Sequence, residues 1–276
     1  MRQGVVTKVF LCFGLFLNSH AFASQAVEAI STLDNIKDEF QAVPCKNEDR
    51  EQAVKDLFEK MGAPAAEVRA QDYKNVTNIV IQAPGMGDGI IVIGAHYDKA
   101  SEGCGALDNW SGIVAIAHVY RSLKAVPLTK TVLFVAFGKE EQGLVGSRAM
   151  ADSINKSELT QYCAMINVDS LGLGPPQVMD NTSSDKLETL AWQIARDMKM
   201  PFSHAPIANG DADSSSFLRK NIPSVTIHGM SDEWQTLLHS AKDQPAKVNP
   251  TSVYLGYRLV LAFVQRLDPA KYTLYR

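Results

Sequence analysis

Apolar residues in this chain collect in short runs, and stretches with a helical repeat of apolar positions separate these runs. The runs lie at 76–82, 90–95, 131–137, 162–168 and 224–228. Short segments that are apolar almost throughout, rather than at alternate positions, are typical of strands buried on both faces of a sheet. We therefore predict five buried strands, and the glycine-rich turn at 84–89 predicts that the first two pair as a hairpin.

Stretches with apolar residues at helical spacing lie between and around the predicted strands. Strands that alternate with helices favour an α/β fold. The expected architecture is a single domain with a central, mostly parallel, mixed and twisted sheet that is flanked by helices on both faces. Helices are predicted at 26–42, 48–62, 111–123, 144–151, 187–198, 214–220 and 251–267.

The first residues have the pattern of a secretory signal peptide. Arg2 and Lys8 precede the apolar run 9–17, and Ala21 to Ala23 fit a small-x-small cleavage site. The run is too short to span a bilayer, so a membrane anchor is the less favoured alternative. We expect a signal peptide at 1–23, export to the periplasm or the medium, and a mature catalytic domain at 24–276 without membrane association.

Composition and charge narrow the classes of function. The chain has 276 residues, of which 46% are hydrophobic and 21% charged, which suits one globular domain with a large core. Its formal net charge is −3 and it carries no basic block. Nucleic acid is therefore not expected as a partner.

Export changes the interpretation of the cysteines, because disulfides persist in oxidising compartments. Cys12 lies inside the predicted signal peptide, which leaves Cys45, Cys104 and Cys163. Cys163 belongs to an apolar run and is expected to be buried. Cys45 and Cys104 lie in loop-like sequence and are the favoured pair, although spacing alone does not fix the connectivity.

Histidine and acidic side chains follow the predicted strands. In open α/β sheets, ligands bind beyond the carboxyl ends of the strands, so these side chains are expected to lie together. Two adjacent acids after a strand are ordinarily a solvated loop, and it is the joint occurrence that points to a site. The side chains are His96 and Asp98, Asp108, Glu140 and Glu141, Asp169, and His239 with Asp243.

The donors suit a pair of metal ions. With one glutamate set aside, two imidazoles and three carboxylates remain, and no cysteine accompanies them. Zinc takes about four ligands, and an open position for water makes the site catalytic. If Asp108 bridges two ions, each ion also gains one histidine and one further carboxylate. This is the arrangement of two-metal hydrolases.

Six segments resemble the zinc aminopeptidases of peptidase family M28, in the order in which that family carries them. The resemblance covers most of the chain from about residue 75. The most specific segments are DNWSG and EEQGLVGSR. The six are GAHYD at 94–98, DNWSG at 108–112, EEQGLVGSR at 140–148, INVDSLG at 166–172, GDADSSSFLRKNIPSV at 210–225 and LHSAKDQPAKVN at 238–249.

The resemblance implies a role for each candidate residue. His96 and Asp169 hold one zinc ion, Glu141 and His239 hold the other, and Asp108 bridges the two. A water between the ions is the nucleophile. Glu140 is the general base, since it adjoins a ligand without being one. Asp98 is the acid that receives the second imidazole N–H of His96 and fixes its tautomer.

The implied function is a dinuclear zinc aminopeptidase that acts on peptides with a free N-terminus. One departure from the family pattern is Asp213-Ser214, where members commonly have Asp-His. A polar contact is lost there, and Asp213 is a candidate for the rim of the site. The other is Leu238-His239-Ser240, where many members have Tyr-His-Thr. This departure keeps His239, and Asp243 is also kept as a supporting acid.

Three other functions stay open. A glutaminyl cyclase is related and also carries the His-Tyr-Asp sequence, but it would use one zinc ion. The segments at 108–112 and 140–148 argue against it. A carboxypeptidase or another amidohydrolase could use the same site, because the motifs do not determine which end of a peptide is cut. A non-enzymatic binding protein is the third alternative.

Overall fold

An eight-stranded mixed sheet forms the centre of the molecule. The computed structural model describes residues 30–205, 207, 210–271 and 273–276. The predicted signal peptide and the start of the helix predicted at 26–42 lie outside the described residues. The strands are β1 (Arg69–Tyr73), β2 (Val76–Ala83), β3 (Ile90–His96), β4 (Thr131–Phe137), β5 (Tyr162–Val168), β6 (Gln177–Val178), β7 (Ser203–His204) and β8 (Ser224–His228).

The order across the sheet is β1-β2-β4-β3-β5-β8-β6-β7. Its centre is parallel, since β4, β3, β5 and β8 pair in the same direction. The pairs β1–β2, β2–β4 and β6–β8 are antiparallel. The predicted α/β class with a mixed, mostly parallel sheet is therefore confirmed.

Helices cover both faces of the sheet. Residues alternate between the faces along β3, so that Ile91 and Ile93 join one apolar cluster and Val92 joins another. The first cluster packs against α3 and α8, and the second against α4 and α6. The helices are α1 (Leu33–Asp38), α2 (Asn47–Lys60), α3 (Ser111–Leu123), α4 (Val145–Ser153), α5 (Asp185–Asp197), α6 (Asp213–Leu218), α7 (Trp234–Leu237) and α8 (Pro250–Leu267).

The predicted hairpin of the first two apolar runs is wrong. β2 pairs with β4, with Ile81 opposite Phe134, and β4 then separates it from β3. The hairpin partner of β2 is β1, whose residues are mostly exposed. β1 carries few apolar residues, because it forms the edge of the sheet. β3 lies at the centre of the sheet, and apolar clusters with helices cover both of its faces.

The first helix is shorter than predicted. The helix expected to end at residue 42 is α1, which ends at Asp38. The side chain of Thr32 accepts the backbone N–H of Asn35 and fixes the start of α1 at residue 33. Ile36 is the one buried residue of α1, so packing supports only a short helix here. Within the described residues, no helix has the length and apolarity needed to cross a membrane.

The fold brings the predicted site residues to one edge. The central strands run parallel, so their carboxyl ends lie at the same edge of the sheet. His96 is the last residue of β3, Asp169 follows β5, and Glu140 lies three residues beyond β4.

A disulfide joins the loop between β3 and α3 to the segment before α2. Cys45 and Cys104 form this bond across a sequence separation of 59 residues, and Cys163 is a buried free thiol. Both expectations for the cysteines are therefore confirmed. The bond holds the segment before α2 against the loop that follows His96.

The double variant Cys45→Ser/Cys104→Ser is expected to fold with reduced stability. Closing a loop of this length stabilises a protein by roughly 4 kcal/mol in the chain-entropy model. Urea unfolding of wild type and variant, each with and without a reductant, measures the loss. The reduced wild type serves as the control and should match the variant. A variant as stable as the oxidised wild type would contradict this prediction.

Candidate metal centre

The five predicted ligands lie together at the carboxyl edge of the sheet, in two groups that share Asp108. His96 Nε2 is 3.1 Å from Asp108 Oδ1 and 3.4 Å from Asp169 Oδ1. His239 Nε2 is 2.9 Å from Asp108 Oδ2 and 3.2 Å from Glu141 Oε2. Each oxygen of Asp108 thus faces a different group, which is the placement that a bridging carboxylate requires.

Asp98 holds the loop with the two glutamates. Its carboxylate accepts the backbone N–H of Glu140 at 2.9 Å and that of Glu141 at 3.2 Å. The sequence predicted instead that this carboxylate receives an N–H from His96. In the structure His96 Nδ1 lies 3.1 Å from the backbone carbonyl oxygen of Asp98 and 3.8 Å from its carboxylate. The carbonyl takes this role because two peptide groups already bind the carboxylate.

Asp243 holds the loop that carries Asp108. Its carboxylate accepts the backbone N–H groups of Ala106, Leu107 and Asp108 at 2.7–3.1 Å. Its own carbonyl accepts the N–H of Cys104 at 2.7 Å. Asp243 therefore supports the shared carboxylate through the backbone, although it contacts none of the five candidate ligand side chains.

The DNWSG segment joins two of the ligand loops. Asn109 Nδ2 donates to the carbonyl of Val168 at 2.9 Å, and its Oδ1 accepts the N–H of Ser170 at 3.1 Å. These residues flank Asp169, so Asn109 ties that ligand to its neighbour Asp108. A Cβ at Gly112 would lie 2.4 Å from Asn109 Oδ1, which explains the glycine.

The EEQGLVGSR segment is a tight turn between β4 and α4. The N–H of Leu144 donates to Glu140 O and that of Gly146 donates to Gly138 O. Asn78 on β2 accepts from the N–H of Gly138 and donates to the carbonyl of Gly146, so it joins both ends of the turn. A Cβ at Gly146 would lie 2.3 Å from Asn78 Oδ1. The segment therefore needs this glycine.

Three residues at or next to candidate site residues have positive φ without being glycine. They are Lys139 at 56°, Ser170 at 56° and His239 at 54°. Such residues carry local backbone strain and persist where the surroundings determine the conformation. The strain therefore coincides with the segments that present Glu140, Asp169 and His239.

Asp213 is buried and does not lie at an exposed rim. It is 1% exposed at the start of α6, and neither carboxyl oxygen has a hydrogen-bond partner among the described residues. Its neighbour Ser214 bonds to Thr182 O and to Thr226 Oγ1. The serine that departs from the family pattern thus points into the fold.

Burial raises the pKa of three acidic side chains at the centre. It raises the pKa of Glu140 well above its ordinary value, and the charges of Asp169 and Asp213 add to the effect. Burial also raises the pKa of Glu141 to about 7 and that of Asp213 to about 7. Without a cation, these groups are hard to ionise together.

Asp108 shows the opposite behaviour. Burial favours its neutral form, but hydrogen bonds from His239 and His96 outweigh burial and lower its pKa. The bond to Asp108 raises the pKa of His239 to about 9. Burial disfavours the charged form of His96, yet the surrounding carboxylates raise its pKa. In the metal-free protein, protons therefore occupy the positions that cations would take.

The donor set fits divalent ions. Two imidazoles and three carboxylates form the two groups, and such ligands suit zinc as well as cobalt and manganese. Glu141 Oε1 is buried and has no hydrogen-bond partner among the described residues. A cation there would satisfy this oxygen.

Arg50 is a residue of this region that the sequence did not single out. Its guanidinium is 0% exposed and lies 5.4 Å from the centre of the Trp110 ring. Burial lowers its pKa to about 10, against the charges of Asp98 and Asp108, so it stays charged at neutral pH. Its position among the polar residues of α2 gave no signal of burial.

A third cluster of possible ligands lies outside this centre. His204 Nδ1 is 2.8 Å from Asp180 Oδ1, and Glu188 completes the group. His204 is exposed, and an ordinary hydrogen bond explains the contact. We assign no metal to it.

A cavity of about 590 Å³ lies between two of the ligand loops. The loop after Asp169 contributes Leu173, and the segment that leads to His239 contributes Met230 and Trp234. Polar side chains such as Gln177, His228 and Asp232 also line it, and the five candidate ligands are not among its lining residues.

The model of peptidase family M28 matches residues 78–264. Aminopeptidase YwaD of Bacillus subtilis is 31% identical over 145 residues, 47% of this chain and 32% of that protein. Leucine aminopeptidase 2 of Trichophyton equinum is 30% identical over 168 residues, 55% of this chain and 33% of that protein. The alignments thus span about a third of the length of these relatives.

Solved structures share the fold. A zinc aminopeptidase from Bacillus subtilis superposes with a TM-score of 0.63 at 25% identity, over 71% of this chain and 52% of that chain. A glutaminyl cyclase from an Acidobacteriales bacterium gives a TM-score of 0.70 at 18% identity, over 88% of this chain and 94% of that chain. At that identity the second likeness shows the fold alone.

The metal-free protein is expected to lose stability as the pH rises from 6.5 to 9. The pKa of His239 is raised to about 9, so the folded chain keeps a proton that the unfolded chain, with an ordinary pKa near 6.5, has lost. A group whose pKa is raised by folding stabilises the folded state fully at pH values below its pKa in the unfolded chain. This contribution is lost as the pH rises to its pKa in the folded protein. The lowered pKa values of His118 and His228 act in the opposite direction, but only below 6.5.

Thermal unfolding of chelator-treated protein across this range measures the effect. Zinc binds deprotonated ligands, so the increase in Tm caused by zinc should grow with pH. His239→Gln is the control, and its metal-free Tm should depend less on pH. A metal-free Tm that rises between pH 6.5 and 9 would refute the prediction.

Proposed function

Because the chain belongs to peptidase family M28, we propose that it is a zinc aminopeptidase that holds two ions and removes N-terminal residues from peptides. The observation that carries the proposal is the pair of ligand groups that share Asp108. Two ions bound at such a shared carboxylate make a two-metal hydrolase site.

We assign the ligands by group. His96, Asp169 and one oxygen of Asp108 would hold the first ion, while Glu141, His239 and the other oxygen would hold the second. Zinc in such a site supplies a Lewis acid for the scissile carbonyl and brings the pKa of water towards neutrality. Proton transfer and substrate binding are then carried out by the side chains of the protein.

Glu140 is placed to move the proton. Its Oε2 is 3.9 Å from His96 Nε2, so it borders the ligands without belonging to either group. Burial raises its pKa, and a carboxylate with a raised pKa is a better acceptor for a proton that it later returns to the leaving amine. The N–H bond to Asp98 fixes the backbone of Glu140 during this transfer.

The substrate binds through its free N-terminus. The site carries more acidic than basic groups, which favours a protonated α-amino group. We place the side chain of the N-terminal residue in the adjacent cavity, where Leu173, Met230 and Trp234 offer apolar surface.

We also propose that the chain is exported. The sequence at 1–23 supports this, because it has the charged, apolar and small-residue parts of a signal peptide. The disulfide between Cys45 and Cys104 suits an oxidising compartment.

The function is tested with one peptide that has leucine at its N-terminus, in three forms: unmodified, C-terminally amidated and N-acetylated. The free peptide and its C-terminally amidated form should lose leucine at similar rates, and the N-acetylated form should resist. A chelator should stop the reaction and zinc should restore it, with about two ions per chain by metal analysis. Cleavage that requires a free C-terminus would identify a carboxypeptidase, and cyclisation of an N-terminal glutamine with one ion would identify a cyclase.

Glu140→Gln is expected to lower kcat by about 10²–10⁴ while zinc content stays unchanged, because a general base contributes about this much. Glu141→Gln should instead lose zinc. The control is Glu102→Gln, which neutralises an exposed glutamate on the loop between His96 and Asp108 and should keep full activity. A loss of less than tenfold in Glu140→Gln would exclude the role of Glu140 as base.

A further inference from the structure

Arg50 binds the backbone of the loop that connects two candidate ligands. Its Nε donates to the carbonyl of Tyr97, the residue after His96. Its Nη1 donates to Cys104 O at 2.9 Å, and its Nη2 donates to Gly105 O at 3.1 Å. Gly105 begins the turn that presents Asp108, so one side chain binds both ends of the loop.

Arg50 belongs to α2, and this helix and the segment before it make further contacts with the loop. Arg50 Nη1 also donates to Pro44 O at 3.1 Å. The neighbouring Asn47 donates to Lys99 O at 2.9 Å and accepts the N–H of Lys99 at 2.9 Å. Asn47 thus binds the middle of the loop, and Arg50 binds its two ends.

The loop is built to admit the guanidinium. Gly105 has a φ of 59°, and a Cβ there would lie 2.9 Å from Arg50 Nη1 and 2.8 Å from Asp108 O. The charges of Asp98, Asp108 and Asp243 favour the charged form of Arg50 and raise its pKa against the effect of burial. Burying this cation is costly, and the carbonyl oxygens and nearby carboxylates offset the cost.

We propose that Arg50 is a positioning residue of the metal centre, which sets the separation of His96 and Asp108 and thereby the affinity for the ion between them. This inference rests on the proposed metal site. Arg50 touches neither ligand side chain and acts through the backbone carbonyls at residues 97, 104 and 105.

Neither lysine nor the disulfide replaces this arrangement. The planar guanidinium directs five N–H donors in fixed directions, whereas a lysine ammonium is a single point charge. The disulfide joins Cys45 to Cys104, so it restrains the Asp108 end of the loop and does not act on the Tyr97 carbonyl. Arg50→Lys therefore keeps the charge and loses the geometry.

The experiment measures the zinc dissociation constant by competition with a chelator for wild type, Arg50→Lys and Arg50→Met. Partners that orient metal ligands typically contribute 10–100-fold to metal affinity, and we expect a loss of this size for the ion that His96 and Asp108 would hold. Unfolding of the metal-free proteins is measured in parallel, so that affinity is compared at known stability.

Lys130→Met is the matched control. Lys130 is also a buried cation, and its Nζ donates to Asp268 O and Ala270 O. It precedes β4 and so lies at the sheet edge opposite the metal centre. This variant should be destabilised like the Arg50 variants and should keep the zinc affinity of the wild type. Equal losses of affinity in the Lys130 and Arg50 variants, or an Arg50→Lys protein with wild-type affinity, would overturn the proposal.

Asn47→Ala replaces the Arg50 variants if they do not fold. It removes the hydrogen bonds to Lys99 and keeps Arg50. We expect zinc affinity to weaken at least about threefold, which is less than the 10–100-fold typical of partners that orient a ligand directly. Asn47→Ala with unchanged affinity would then overturn the proposal. Because zinc affinity is measured without a substrate, a wild type that binds zinc and cleaves no peptide would refute the proposed activity and leave this inference standing.

Discussion

The concentration of negative charge around Asp108 is the constraint on which the site depends. Carboxylates buried together repel one another and lose hydration, so each needs a donor or a cation. Backbone N–H groups satisfy Asp98 and Asp243, and two histidines satisfy Asp108. Glu141 Oε1 and both oxygens of Asp213 have no hydrogen-bond partner among the described residues. The acids that support the loops therefore have hydrogen-bond donors. The carboxyl oxygens without donors lie within or beside the two ligand groups, where cations would balance their charge.

The same division explains how the loops are held. Acids bind the N–H groups that precede or belong to the ligand segments, and Arg50 binds carbonyl oxygens of the loop between two ligands. Negatively charged side chains therefore bind peptide N–H groups, and the positively charged side chain of Arg50 binds peptide carbonyl groups. The positive φ of Ser170 and His239 persists within this framework, because surrounding bonds determine a conformation that isolated residues avoid.

The sequence predicted what depends on local pattern and missed what depends on pairing. The apolar runs predicted β2 to β5 and β8, and the polar residues after them predicted the candidate ligands that the structure brings together. The hairpin was wrong because nothing in residues 84–89 reveals that β4 inserts beside β2. β1, β6 and β7 are polar or only two residues long, which leaves too little periodicity to detect. Arg50 lies among charged residues of α2, where a solvent-facing side chain is the ordinary expectation.

One shared constraint places the adjacent glutamates against different groups of the site. Both backbone N–H groups bind the carboxylate of Asp98, so the backbone between them cannot rotate independently. Glu140 then approaches His96 at 3.9 Å, and Glu141 approaches His239 at 3.2 Å. The His96 side is buried, whereas the side chain of His239 is 60% exposed, so the second group is the side open to solvent. The side chains of Glu140 and Glu141 are 15% and 13% exposed, so both are largely shielded from water, and they differ in the group that each one faces.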